Sequence, residues 1–110
     1  MTGVQLHVRA CGSLQVVSLR GQLDLTEADD IAATLAALAV GGQRVVADLA
    51  ALEFIDCYAL RALARARDQA RQQDGDILLA APPPMVIQML ELTGLDAALA
   101  VHATVTAAAG

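Results

Sequence analysis

Glu53-Phe54-Ile55-Asp56-Cys57-Tyr58-Ala59-Leu60-Arg61-Ala62-Leu63 (EFIDCYALRAL, residues 53–63) is the stretch whose reading decides the fold. The apolar run Val45 to Leu49 precedes it and has the composition of a buried strand. Phe54 and Ile55 add a second apolar step. Asp56 then stands where a helix starts, and Leu60, Leu63 and Ala64 carry that helix onward. A strand feeding a helix N-terminus gathers free backbone N–H groups and the positive dipole end at one point. Such a point can bind an anion or activate a thiolate. It can equally hold nothing but a cap: an aspartate accepting from the next turn is worth about 1 kcal/mol.

The flanking sequence continues the same alternation. Val4, Leu6 and Val8 alternate with Gln5, His7 and Arg9, a half-buried strand. Ala10 to Ser13 is a turn, and Leu14 to Arg20 returns as the second strand of a hairpin. Thr26-Glu27-Ala28-Asp29 fits a helix-start signal. Ile31, Leu35 and Leu38 give that helix one apolar stripe, and Gly41-Gly42 ends it. Arg44 to Leu49 is a strand. A second helix runs from Cys57 to about Gln73 and stops at Asp74-Gly75-Asp76, before a short strand at Ile77 to Ala80. Pro82-Pro83-Pro84 opens a third helix with Val86, Met89 and Leu90 inward, and Gly94 stops it. Leu99 to Val101 reads as an edge strand and Ala103 to Ala109 as a weak terminal helix. The order β-β-α-β-α-β-α-β predicts an α/β fold. Its mixed sheet has four to five strands, a hairpin at its start and helices mainly on one face. Residues 1–110 read as one domain.

Composition narrows the function. The 110 residues suffice for one core burying roughly two thirds of the unfolded surface. The apolar fraction is 56%, much of it alanine, with Phe54 and Tyr58 the only aromatics. Twelve acidic against seven basic residues, a net charge of -5, lacks the basic footprint of a nucleic-acid binder. No lysine is present, which removes lysine-amine chemistry. No apolar run approaches the ~18 to 20 residues of a membrane span. The first residues lack a signal peptide's apolar block, so the expected location is the cytoplasm. Cys11 and Cys57 stand alone, without metal-ligand or C-x-x-C spacing, and are expected reduced.

The enzymatic readings of Asp56-Cys57-Tyr58 each lack a partner. A cysteine phosphatase needs C-x5-R, and position 63 is Leu63. A thioredoxin-like site needs a second nearby cysteine. A receiver domain needs an acidic pair after its first strand and a lysine, and a P-loop needs glycines and a lysine. No enzyme is expected. Cys57 reads as a small filler. Tyr58, in the first turn of a helix, is either an interface anchor or a cover for a neighbouring loop. Arg61, Arg65, Arg67 and Arg71 read as a solvated face of the second helix, or as a dock for an acidic partner. His7 and His102 read as surface residues. Met85 and Ile87 either form a contact patch or pack on the proline run.

Four separated segments resemble the STAS domain of the anti-sigma factor antagonist type. Gly21 to Thr26 is similar to G-E-L-D-x-x-T/S, and Val46 to Phe54 to V-x-D-L-x-x-L-x-F. Ile55 to Leu60 stands in the place of I-D-S-S-G-L, and Leu90 to Leu95 matches L-E-L-T-G-L. The resemblance implies partner switching. The domain would bind a serine-kinase-type anti-sigma factor and so free a sigma factor, and the kinase would phosphorylate a serine or threonine in the first turn of the second helix. Tyr58 occupies that phosphoacceptor position and Ala59 stands where glycine is usual, so the regulatory switch departs from the family's. By position, the expected binding and switch residues are Asp24, Asp56, Cys57, Tyr58, Ala59 and Arg61. The resemblance implies no cofactor, no metal, no nucleic acid and no membrane insertion, and leaves room for a weak homodimer. Two other readings of the same fold are a STAS subunit of a lipid-transport ABC ATPase complex and, ranked last, a small-ligand sensor.

Overall fold

The computed structural model describes residues 3–109. In chain order the elements are β1 (Val4–Cys11), β2 (Leu14–Leu23), α1 (Leu25–Leu38), β3 (Arg44–Ile55), α2 (Cys57–Gln72) and β4 (Asp76–Ala80). They are followed by α3 (Pro84–Thr93), a 3-10 turn (Leu95–Ala97), β5 (Ala100–His102) and α4 (Val105–Ala109). The five strands lie in the order β1-β2-β3-β4-β5. β1 is antiparallel to β2, and the remaining neighbours are parallel. Parallel neighbours require crossovers. Those made by α1, α2 and α3 share one face of the sheet, as the sequence predicts.

That face holds the main core. Val17, Leu19 and Leu23 of β2, Val45 and Leu49 of β3, and Ile77 and Leu79 of β4 meet Ile31 and Leu35 of α1, Leu60 and Leu63 of α2, and Val86 and Leu90 of α3. Alanine explains how closely the helices sit. Ala59, Ala62, Ala66 and Ala70 form the rest of the buried side of α2, where larger side chains would hold the helix away. On the opposite face α4 packs Ala108 and Val105 over Leu14, Val16, Val46, Leu78 and Ala80. The Arg44 guanidinium pins it by donating to the Ala108 carbonyl at 2.9 Å.

β3 is twice the length expected. It runs on from Leu49 to Ile55, so that its twelve residues lie beside the ten of β2. The surplus is taken up at two register shifts, one between Ser18 and Arg20 and one between Gly21 and Gln22 of the partner strand. Each is a β-bulge, in which two residues oppose one. Leu49, Leu52 and Ile55 turn into the core, while the pairs Ala50-Ala51 and Glu53-Phe54 both face outward. An inward residue at every third position matches neither the strand period nor the helix period, which is why the alternation breaks after Leu49.

The start of α1 also differs from the sequence signal. Asp24, not Thr26, is the N-cap, and its Oδ1 accepts the Thr26 amide at 3.0 Å. Aspartate caps better than threonine. Glu27 then reaches back to β1, accepting the Val4 amide at 3.3 Å, and Asp29 is left free for another role. At the far end Gly75 admits no side chain. A Cβ there would lie 2.5 Å from the Ala39 carbonyl and 2.7 Å from that of Gln43.

Candidate partner-binding surface

The parallel strands β2, β3 and β4 all finish at one end of the sheet, and α1, α2 and α3 all begin there. Asp56 ties two of those beginnings together. Its Oδ1 accepts the Ala59 amide of α2 at 2.8 Å, and its Oδ2 accepts the Leu25 amide of α1 at 3.0 Å. The Asp56 amide in turn donates to the Leu23 carbonyl at 3.3 Å, closing the junction between β2 and β3. One carboxylate therefore occupies amides from two helix N-termini, the groups that an anion would otherwise take.

Tyr58 reaches from α2 to α1. Its hydroxyl donates to the two carboxylate oxygens of Asp29 at 3.1 and 3.0 Å. The Arg65 guanidinium carbon lies 5.8 Å from the ring centroid, within cation–π range. One Arg65 nitrogen lies 4.0 Å from Asp29 Oδ1, an exposed and therefore weak pairing. The hydrogen bond to Asp29, reinforced by that residue's negative charge, raises the Tyr58 pKa above 10.0, and Arg65 opposes the rise. The ring is thus fixed in place by its oxygen and still 43% exposed. Tyr58 therefore covers part of helix α1, not a neighbouring loop, and keeps a face open to solvent.

The other predicted residues separate by environment. Asp24 and Cys57 are half-buried, and Arg61 is exposed. The Ala59 side chain is fully buried, so only its amide belongs to the junction. Sequence reasoning missed Leu25 and Phe54, which are 65% and 42% exposed beside Asp24 and Asp56. Leu25 could have been found, since it stands outside the stripe of Ile31, Leu35 and Leu38. Phe54 could not, because its outward direction depends on the second bulge. Asp29 was assigned to a helix start and is instead the acceptor for Tyr58.

The arginines of α2 do not form one solvated face. Arg67 is only 14% exposed, and its Nε donates to Asp76 Oδ1 at 2.9 Å while Nη1 reaches the Ala98 carbonyl at 3.2 Å. It staples α2 to the start of β4 and to the turn before β5. Among the described residues no group of three or more His, Cys, Asp or Glu could hold a metal. No described helix is long and apolar enough to cross a membrane.

Residues 5–108 match the family model of the STAS domain, and the chain belongs to that family. It is 32% identical over 92 residues to BtrV of Bordetella bronchiseptica, a protein provisionally named an anti-sigma factor antagonist. That match spans 83% of this chain and 79% of BtrV. The crystal structure of an anti-sigma factor antagonist from Mycobacterium paratuberculosis superposes with a TM-score of 0.81 at 25% identity, covering 94% of this chain and 89% of that one. The same fold recurs in the murine solute carrier 26 family member A9 anion transporter. There the TM-score is 0.76 at 14% identity, over 92% of this chain but 18% of the transporter.

Proposed function

We propose that this chain is a cytoplasmic anti-sigma factor antagonist that works by protein contact and performs no chemistry of its own. Its partner on this reading is an anti-sigma factor of the serine-kinase type, whose capture frees a sigma factor. The observation that carries the reading is the end of the sheet where Leu25, Phe54 and Tyr58 are exposed around the Asp56 junction. Large apolar and aromatic side chains held rigidly on helix and strand ends are what a protein interface uses as anchors. The names of BtrV and of the mycobacterial structure support the same role.

The switch differs from that of the resembling family. A phosphoryl group adds about -1.5 to -2 charges, enough to repel a partner from such a surface. Here the residue at the acceptor position is Tyr58, whose hydroxyl is longer in reach and already committed to Asp29. The antagonist would therefore stay bound when its kinase partner holds ATP. The test is a binding measurement between the purified chain and a serine-kinase-type anti-sigma factor of the same genome, with and without ATP. Wild type should bind in both conditions, and Tyr58→Ala and Phe54→Ala should each weaken binding. Binding indifferent to both substitutions, or no binding to the kinase in either condition, would overturn the assignment.

A further inference from the structure

The face of the sheet opposite α1, α2 and α3 is covered by α4 over β3, β4, β5 and the first residues of β2. Beyond α4 a groove of about 500 Å³ opens across β1, β2 and β3. Two rungs of the sheet form its floor. His7, Ser18 and Asp48 stand opposite one another on the first, and Gln5, Arg20 and Ala51 on the second. The first bulge lies between them and turns Ala50 and Ala51 outward in succession, opening the floor where two larger side chains would fill it. Bulges concentrate beside binding sites because they re-aim side chains.

The groove holds opposite charges that do not neutralise each other. Arg20 and Asp48 both line it, yet no ion pair joins them among the described residues. Asp48 uses Oδ1 to accept the Ala50 amide at 3.1 Å, a contact that holds the carboxylate in place at the groove. His7, Ser18 and Asp48 share no hydrogen bond with one another, so the row is not a catalytic relay. Asp48 stands opposite Ser18 and Arg20 opposite Ala51, which sets the two charged residues one rung apart on adjacent strands. A small molecule with an anionic and a cationic end can therefore span Arg20 and Asp48, with its short carbon chain over the two alanines.

We propose that this groove is a binding site for a small zwitterion of the amino-acid class. The ligand's carboxylate meets Arg20, its ammonium meets Asp48, and His7 and Ser18 supply further hydrogen bonds. The geometry favours such a ligand over a simple anion because a guanidinium and a carboxylate line the same groove, and each can form a charge-assisted hydrogen bond with a group of opposite sign. The site lies away from the Asp56 junction and does not depend on the partner reading.

Amide chemical shifts of the isotope-labelled protein, titrated with the standard amino acids in pools and then singly, test it. The expected result is saturable shifts at Ser18, Arg20, Asp48 and Ala50. Affinity should fall roughly tenfold or more when either charge of the ligand is blocked by N-acetylation or amidation, as loss of a charge-assisted pair requires. Arg20→Gln and Asp48→Asn should each abolish the shifts while the rest of the spectrum keeps its folded dispersion. Asparagine keeps the oxygen that accepts from Ala50, so the bulge survives. Absence of any saturable shift overturns the proposal, as do shifts unchanged in both variants or reproduced equally by acetate.

Discussion

Asp56 accepts the first amide of a helix that begins thirty-one residues before it, Leu25, at 3.0 Å, while capping its own helix through Ala59 at 2.8 Å. The ends of β2 and β3 thereby become one junction, and the start of α1 is fixed by a residue outside it. The aspartate of the quoted stretch is thus a structural clasp, with the exposed side chains of the proposed interface set around it.

A cap shared by two helices should cost more to remove than an ordinary one. Loss of an aspartate N-cap is worth about 1 kcal/mol, within a range of roughly 0.5–2. Asp24→Ala removes one amide acceptor and should fall near the middle of that range. Asp56→Ala leaves amides of both helices without their side-chain acceptor and should reach its upper end. Urea unfolding followed by circular dichroism compares the two, and equal losses would show that the Leu25 contact contributes nothing.

Tyr58 is the sole tyrosine and the chain has no tryptophan, so phenolate absorbance reads this one group. Its pKa is raised chiefly by the hydrogen bond to Asp29, and the neutral phenol is the form the fold favours. The associated stabilisation is therefore complete below pH 10.0 and is lost as pH rises through the higher folded value. The titration midpoint should lie above that of free tyrosine. Asp29→Asn should bring it down, and Arg65→Gln should move it further up.

The bulged strand makes neighbouring residues behave oppositely. Leu52 faces the core and is 6% exposed, whereas Phe54, two residues on, is 42% exposed. Leu52→Ala should cost about 2–5 kcal/mol, the cost of emptying a packed site. Phe54→Ala should stay within about 0.5 kcal/mol in the unfolding midpoint, its effect being confined to partner binding. A strand of ordinary alternation would put both side chains on one face and give the two substitutions similar costs.

Two glycine substitutions separate crowding from backbone strain. Gly12 lies at φ +63 with nothing within 4 Å of a built Cβ, so Gly12→Ala carries only the left-handed penalty, about 1–2 kcal/mol. Gly75 has no such backbone requirement, but its Cβ would collide with two carbonyl oxygens. Gly75→Ala should displace the α1 terminus or the strand entry and cost more than Gly12→Ala in thermal unfolding.

Much of the architecture was legible in the sequence because its signals are local. The alternation of Val4, Leu6 and Val8, the stripe of Ile31 and Leu35, and the stops at Gly41-Gly42 and Gly94 each follow from one element's own periodicity or turn chemistry. The Asp56 cap was read the same way. What escaped depends on pairs of elements. The second acceptor role of Asp56 requires α1 to start beside α2, the bond from Tyr58 to Asp29 crosses between helices, and Arg67 finds Asp76 only once β4 is in place. The continuation of β3 was hidden for a different reason, since a bulge erases the period by which a strand is recognised.

Those bulges also say how β3 relates to a plainer strand. Removal of Ala50 and Glu53 from the written sequence would leave Leu49, Ala51, Leu52, Phe54 and Ile55, an uninterrupted alternation with the same three leucine and isoleucine side chains inward. The strand is in that sense a ten-residue pattern with two residues slipped in, and neither insertion disturbs the core. What the insertions change is curvature, because each bulge bends the strand and increases its local twist. The tip that carries Phe54 is thereby swung relative to a flat continuation of the sheet. Length variation in this segment would redirect that tip and leave the hydrophobic interior unchanged.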